Sequence, residues 1–257
     1  MREGIEQGVE QGFEQLPNVL PDEQEPTTSS GPADFEQPEP TEGSTTTANP
    51  GTEPGAAVPA PPDRPANLPS FIATVLSSVV SVECTVTADS SSFGSGFAFD
   101  TSGLGEAQGD VIVTNFHVLD ECRADSPIFI TTASGEQVEA TVLASDSEAD
   151  LALLSIAGLS IPALRPASAF NQGDWVMAAG NPEGVTGTTT SGSIANVKPD
   201  IEEVYSDAVI APGSSGGPLV NNHGEVIGVT SAIFISSTGF SISRPITSLC
   251  NVILECR

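Results

Sequence analysis

Short apolar runs separated by turn residues dominate the chain from residue 79 onwards. Short strands separated by closely spaced turns are typical of an antiparallel barrel or sandwich. The pattern predicts strands in two groups, at residues 79–86, 96–99, 111–115, 128–132, 137–144 and 152–156, and then at residues 175–179, 186–195, 208–210, 218–221, 226–232 and 240–243. A serine cap before an apolar segment that starts at Phe71 predicts a short helix, and residues 246–254 predict a closing C-terminal helix.

The first 66 residues lack this pattern. Ile5, Val9 and Phe13 recur every four residues, which places them along one side of a helix over residues 4–16. Its glycines each cost about 1 kcal/mol relative to alanine, so disorder is slightly favoured there. Proline, threonine and glutamate up to residue 65 leave too little apolar surface to offset the entropy of ordering. We expect an acidic, disordered linker or stalk over residues 1–66 and a folded domain over residues 67–257.

Charge limits the partners of the chain. The formal net charge is −27, with 13 acids and 2 bases before residue 67 and 21 acids and 5 bases after it. Such an excess repels nucleic acid and anionic membranes, so we exclude DNA and RNA as partners. No stretch reaches the roughly 18 apolar residues of a membrane-spanning helix, and the start lacks the apolar region of a signal peptide.

A glycine-rich turn provides the strongest chemical signal. Ser215 lies in Gly-Ser-Ser-Gly-Gly at residues 213–217, which describes a tight turn that presents one hydroxyl before the chain enters a core strand. Gly213 can adopt backbone angles that are closed to other residues, so the amides of Gly213 and Ser215 can form an oxyanion hole. Taken alone, the motif fits an ordinary Gly/Ser turn equally well.

A serine nucleophile needs a base, and the chain has two histidines. His117 ends an apolar strand, whereas His223 lies among hairpin-turn residues and is assigned to solvent. Asp150, at the start of an apolar strand, is the candidate for orienting His117, and Asp146 is interpreted as a turn residue. The elbow of α/β-hydrolases is the rival interpretation, but there the acid and the histidine follow the serine in the chain.

The chain resembles chymotrypsin-fold serine proteases of the HtrA/Deg type. The resemblance covers about 190 residues, includes the order His117, Asp150, Ser215, and lies in GSGF (94–97), TNFHV (114–118), DLALL (150–154), GNPEG (180–184), TSGSI (190–194) and IGVTSAI (227–233). It implies an all-β fold of two six-stranded antiparallel barrels with a short C-terminal helix. It also implies a serine endopeptidase that acts on polypeptides without cofactor or metal, with His117 as base, Asp150 orienting it and Gly213 and Ser215 supplying the oxyanion hole.

The resemblance also implies structural details. An even number of cysteines indicates an oxidising compartment but leaves the pairing open; the family implies a Cys84–Cys122 disulfide, which would leave Cys250 and Cys256 as a pair. Val209, six residues before Ser215, is expected at the base of the primary pocket, which predicts cleavage after small or aliphatic residues rather than lysine or arginine. The stretch Gly239, Phe240 and Ser241 is expected to pair with the substrate backbone.

Two features depart from the family. The sequence ends at Arg257, so we expect no PDZ domain of the kind usual in this group, and the bulky Phe116 precedes His117 where a small residue is usual. The competing interpretation is therefore a binding module that kept the barrels and lost turnover. A protease of this type is expected outside the cytoplasm, so we expect that an export signal or membrane anchor is missing from this chain. The sequence does not determine the oligomeric state.

Overall fold

The structure is a computed structural model that describes residues 64–87, 90–102, 110–123, 125–233 and 239–252. The expected helix at residues 4–16, nearly all of the expected stalk, Cys256 and the side chain of Cys250 lie outside the described part. Within that part, no helix is both long enough and apolar enough to cross a membrane.

The first half of the described chain forms a closed, six-stranded antiparallel barrel in the order β1-β2-β3-β6-β5-β4. A short helix, α1 (Leu68–Leu76), precedes it. The strands are β1 (Val79–Thr87), β2 (Ser90–Phe99), β3 (Asp110–Thr114), β4 (Ile128–Thr132), β5 (Gln137–Asp146) and β6 (Leu151–Ile156), with helix α2 (His117–Asp120) after β3.

The second half repeats this architecture in a barrel of order β10-β11-β12-β9-β8-β7. Its elements are β7 (Trp175–Gly180), β8 (Thr188–Lys198), β9 (Glu203–Ser206), β10 (Pro218–Val220), β11 (Val226–Ile233), β12 (Ser241–Pro245) and helix α3 (Thr247–Val252), with 3-10 turns at Pro182–Gly184 and Pro199–Ile201. The predicted fold class, two six-stranded antiparallel barrels with few helices, is confirmed.

One predicted strand is misplaced. Residues 208–210 alternate buried, exposed and buried, as a strand does, but β9 lies earlier, at Glu203–Ser206. In β9 the buried positions are Val204 and Ser206. Because one of these two core positions is a serine, the segment does not show the alternation of apolar and polar residues that predicts a strand. Val209 and Ile210 of this segment instead line the cleft described below.

The largest buried cluster joins the two barrels. It contains Phe97 and Leu151 from the first barrel, Met177 and Val229 from the second, and Leu249 from α3, each no more than 1% exposed. Each barrel also has its own interior cluster. Burial of apolar area on this scale is the main favourable term in folding, so it fixes the barrels against each other.

Ser95 of β2 connects the first barrel to loops of the second. Its amide donates to the carbonyl of Ser215 at 2.8 Å. Its hydroxyl donates to the carbonyl of Gly213 at 2.7 Å and accepts from the amide of Asn181 at 2.8 Å. Because Ser95 is fully buried, these bonds set the position of the Gly213–Ser215 loop relative to the first barrel.

Candidate active site

The structure brings His117 and Asp150 together. His117 is the first residue of α2, shortly beyond β3, and Asp150 immediately precedes β6, which pairs with β3. The imidazole Nδ1 lies 2.9 Å from Asp150 Oδ2 and 3.0 Å from Oδ1, and the His117 amide also donates to Oδ1, at 3.0 Å. The Asp150 side chain is 14% exposed and the His117 side chain 46% exposed. This arrangement fixes the ring through Nδ1 and leaves Nε2 available for chemistry.

Asp150 adopts a left-handed backbone conformation, with φ of 55°. That region is unfavourable for a residue with a side chain, and it persists only where neighbouring groups hold it. The side-chain amide of fully buried Asn115 donates to the carbonyl of Asp150 at 2.7 Å. Asp146, the rival acid, accepts the amides of Glu148 and Ala149 at 2.9 and 2.7 Å and shapes the turn that leads to Asp150.

Hydrogen bonds keep Asp150 ionised. Burial has the largest single influence on the carboxyl and raises its pKa. The hydrogen bonds from the His117 ring, the Ser231 hydroxyl and the His117 amide together outweigh burial, so the pKa of Asp150 lies below its ordinary value of 3.8. The group facing His117 is therefore a carboxylate at neutral pH.

Ser231 of β11 connects Asp150 to Ser215, and the sequence analysis did not single it out. Its hydroxyl donates to Asp150 Oδ2 at 2.6 Å, and its carbonyl accepts the Ser215 hydroxyl at 3.0 Å. The neighbouring Thr230 accepts the amide of Gly216 and donates its own amide to the carbonyl of Gly217, which places β11 beside the Ser215 loop. Among the described residues, no hydrogen bond joins the Ser215 hydroxyl to His117.

The turn before Ser215 has the geometry that its glycine predicts. The Ser214 amide closes it on the Ala211 carbonyl at 2.9 Å, and Gly213, its third residue, has φ of 92°. A type II turn requires a positive φ at that position, which favours glycine. Within the part of the chain that is described, the amides of Gly213 and Ser215 have no hydrogen-bond acceptor.

A small apolar cleft of about 110 Å³ adjoins this loop. Its lining includes Ala178, Ala179, Val209, Ile210 and Ala211. Val209 is 66% exposed, so it lies on an open wall of the cleft.

The structure places Gly239, Phe240 and Ser241 just before and at the start of β12. Gly239 is exposed and Phe240 is half-buried. Ser241 is buried and pairs with Ser206 on one side and Ile233 on the other, so it has no free strand edge. The substrate-binding role of this stretch stays a prediction.

A disulfide joins Cys84 of β1 to Cys122, two residues beyond the end of α2. This is the pair that the family resemblance implies. It ties the segment that follows His117 to the wall of the first barrel. His223, by contrast, is exposed in the turn between β10 and β11, where its amide donates to Asn221.

Comparison with known proteins identifies the class to which this fold and site belong. The sequence model of the trypsin-like peptidase domain matches residues 94–229. The chain is a member of the trypsin-like peptidase domain family, and HtrA/DegP-type serine proteases are among its homologues.

Individual relatives agree with this assignment. The Synechocystis protein named serine protease HhoA is 37% identical over 60% of this chain and 40% of its own length. A DegP-like periplasmic serine endoprotease of Ectopseudomonas mendocina is 34% identical over 59% of this chain and 32% of its own length. The chain thus matches less than half of each of these relatives.

Two solved structures share the fold. The serine endoprotease of Yersinia pestis superposes with a TM-score of 0.62 and 29% identity, covering 74% of this chain and 65% of that one. The HtrA-type protease AlgW, solved as a variant with a tripeptide, gives a TM-score of 0.61 and 28% identity, covering 73% of this chain and 62% of that one.

Proposed function

We propose that this protein is a serine endopeptidase that hydrolyses polypeptides through His117, Asp150 and Ser215. The observation that carries the proposal is the chain of contacts from His117 Nδ1 to the Asp150 carboxylate, from that carboxylate to Ser231, and from Ser231 to the Ser215 hydroxyl. It gathers a base, its orienting acid and a hydroxyl nucleophile where the two barrels meet, next to the cleft.

The reaction begins with a rotation of the Ser215 side chain. In the structure its hydroxyl donates to the Ser231 carbonyl. Bound substrate turns it towards His117 Nε2, because catalytic hydrogen bonds commonly form only in the complex. Ser215 Oγ attacks the peptide carbonyl while His117 takes its proton, and the amides of Gly213 and Ser215 hold the developing oxyanion. His117 then protonates the leaving amine, and water releases the acyl group from Ser215.

The cleft supports cleavage after small or aliphatic residues. Its lining is mostly apolar and includes three alanines, Val209 and Ile210, together with the polar residues Thr188, Thr190 and Ser214. A volume of about 110 Å³ accommodates a short side chain. Burying an unpaired ammonium against apolar walls is unfavourable. Digestion of an unfolded protein followed by mass spectrometry tests this: cuts predominantly after alanine, valine or similar residues are expected, and cuts predominantly after lysine or arginine would contradict it.

A fluorophosphonate probe tests the nucleophile directly. The wild-type protein is expected to label covalently, and Ser215→Ala to lose all labelling while keeping its thermal unfolding midpoint. Absence of labelling in well-folded wild type would favour the alternative, a binding module with the same barrels. The observation that favours this alternative is that the Ser215 hydroxyl donates to the Ser231 carbonyl rather than to His117.

We infer a location outside the cytoplasm. The DegP-like relative is named as periplasmic, and the Cys84–Cys122 disulfide is a type of bond that persists in oxidising compartments. Fractionation of cells that express the native gene tests the location, and recovery in the cytosolic fraction alone would contradict it.

A further inference from the structure

Glu183 is an exposed acidic residue whose backbone contacts the turn before Ser215. Glu183 lies in the 3-10 turn Pro182–Gly184, directly after Pro182, which lines the cleft. Its amide donates to the Pro212 carbonyl at 2.8 Å, and its nitrogen lies 3.0 Å from the place that a Cβ on Gly213 would occupy. Glu183 therefore contacts the turn that supplies the Gly213 amide and follows a residue that lines the cleft.

The backbone of Glu183 gives no reason for a glutamate there. Its φ is 51° and its ψ 27°, in the left-handed region that glycine or asparagine adopts at lower cost. The residue is exposed, so its side chain adds nothing to the core. Glu202 has a similar conformation, with φ of 50°, away from the cleft, so it is the contact with the Gly213 turn, and not the strain, that points to a role for the Glu183 side chain.

Glu183 has no cationic partner within the described residues. The arginine ion pairs found there are Arg123 with Asp125, Arg165 with Asp100, and Arg244 with Glu203. The carboxylate is free to meet a positive charge on a bound molecule. The chain as a whole carries −27, which raises the local concentration of cationic polypeptides and speeds their association.

We propose that Glu183 selects polypeptides that carry a lysine or arginine next to the residue held in the cleft. The inference rests on the proposed peptidase function. The mostly apolar walls of the cleft disfavour a charged side chain within it, and Glu183, next to Pro182 of the cleft wall, favours one in a flanking position. The substrate class is thus a polypeptide with a small or aliphatic residue at the scissile bond and a basic neighbour.

Peptide pairs on the full chain test the proposal. Each pair places lysine or its neutral derivative acetyllysine at one position flanking a valine cleavage site, and kcat/KM is measured for both members at low ionic strength. The wild type is expected to prefer lysine at one flanking position by about three- to fivefold, a ratio typical of an exposed charge pair. Added salt is expected to reduce that ratio towards one.

Two variants distinguish local recognition from the general field. Glu183→Gln is expected to bring the ratio close to one. The matched control is Glu202→Gln, because Glu202 also has a left-handed backbone, with φ of 50°, and carries the same charge. Its neighbours Ile201 and Glu203 do not line the cleft, whereas Pro182, the neighbour of Glu183, does. Glu202→Gln is expected to keep the wild-type ratio.

The possible outcomes test the role of Glu183 separately from the proposed peptidase function. Cleavage of both peptides with equal efficiency in the wild type, or an unchanged preference in Glu183→Gln, overturns the role of Glu183 and leaves the peptidase standing. An equal loss of preference in both variants assigns the effect to net charge and also overturns it. Failure to cleave any peptide, together with no fluorophosphonate labelling, overturns the peptidase function itself.

Discussion

Asn115 supports the least favourable backbone conformation in the proposed triad. The left-handed region costs energy even for aspartate, and the bond from the buried Asn115 side-chain amide to the Asp150 carbonyl holds the backbone there. His117 lies two residues later on the same segment, so one short stretch fixes both the backbone and the carboxylate of Asp150. The precision of the His117–Asp150 contact thus depends on a residue outside the triad.

Replacing Ser231 is expected to change stability in a pH-dependent way. Because the folded-state pKa of Asp150 is lowered, its contribution to stability is present above 3.8, the ordinary value, and is lost as the pH falls through the folded-state pKa. Ser231→Ala removes one of the bonds that lower the pKa. Urea unfolding is expected to show a loss of about 1–2 kcal/mol near neutral pH. The loss of stability is expected to become smaller below about pH 4, where Asp150 becomes protonated. A loss that did not depend on pH would contradict a bond from Ser231 to ionised Asp150.

Gly213 can be tested against a second glycine of similar conformation. Gly213→Ala adds strain at φ of 92° and puts a Cβ 3.0 Å from the Asn181 carbonyl, so the turn must shift and displace its amide. The rate of fluorophosphonate labelling is expected to fall about a hundredfold. Gly158→Ala meets comparable strain at φ of 82° in open space. It is expected to lower stability by about 1–2 kcal/mol without slowing labelling. Equal labelling rates in the two variants would contradict a role for the Gly213 amide.

At the scale of elements, strand β11 was predicted correctly and its role was missed. The apolar run at residues 226–232 marks it as a core strand, and it spans Val226–Ile233. Nothing in the run shows that Ser231 contacts a carboxylate 81 positions away in the chain. Such a contact depends on how the two barrels pack, which local periodicity does not report.

The disulfide is expected to stabilise the segment that carries His117. It closes a sequence separation of 38 residues between β1 and the end of the α2 segment. In the chain-entropy description a loop of that size stabilises by about 3–4 kcal/mol. A Cys84→Ala/Cys122→Ala double variant is expected to lose about that much in denaturant unfolding. An unchanged unfolding midpoint would show that the bond contributes little.

At the scale of the whole molecule, residues from 64 onwards are expected to be sufficient for folding and labelling. Both barrels and every residue of the proposed site lie there. A chain shortened to residues 64–257 is expected to keep the thermal unfolding midpoint and labelling rate of the full chain. Loss of either would contradict the domain boundary predicted near residue 67.

The sequence predicted the architecture of the two barrels better than it predicted the contacts within the site. Strand periodicity and the family motifs predicted two barrels, because apolar residues at alternating positions must face a common interior. The His117–Asp150 pairing followed from motif order. The contacts of Asn115, Ser231 and Ser95 could not be predicted, because each joins segments that meet only after the strands and barrels have packed.

Ser95 has a pharmacological consequence. Its three bonds make the loop that carries Gly213 and Ser215 depend on the seam between the barrels as well as on its own turn. A compound that bound between the barrels at Ser95 and broke these bonds would distort that loop without occupying the cleft. Such inhibition would be non-competitive, so raising the substrate concentration would not relieve it. It would also allow inhibitors to target a site other than the substrate-binding cleft, which many proteases share.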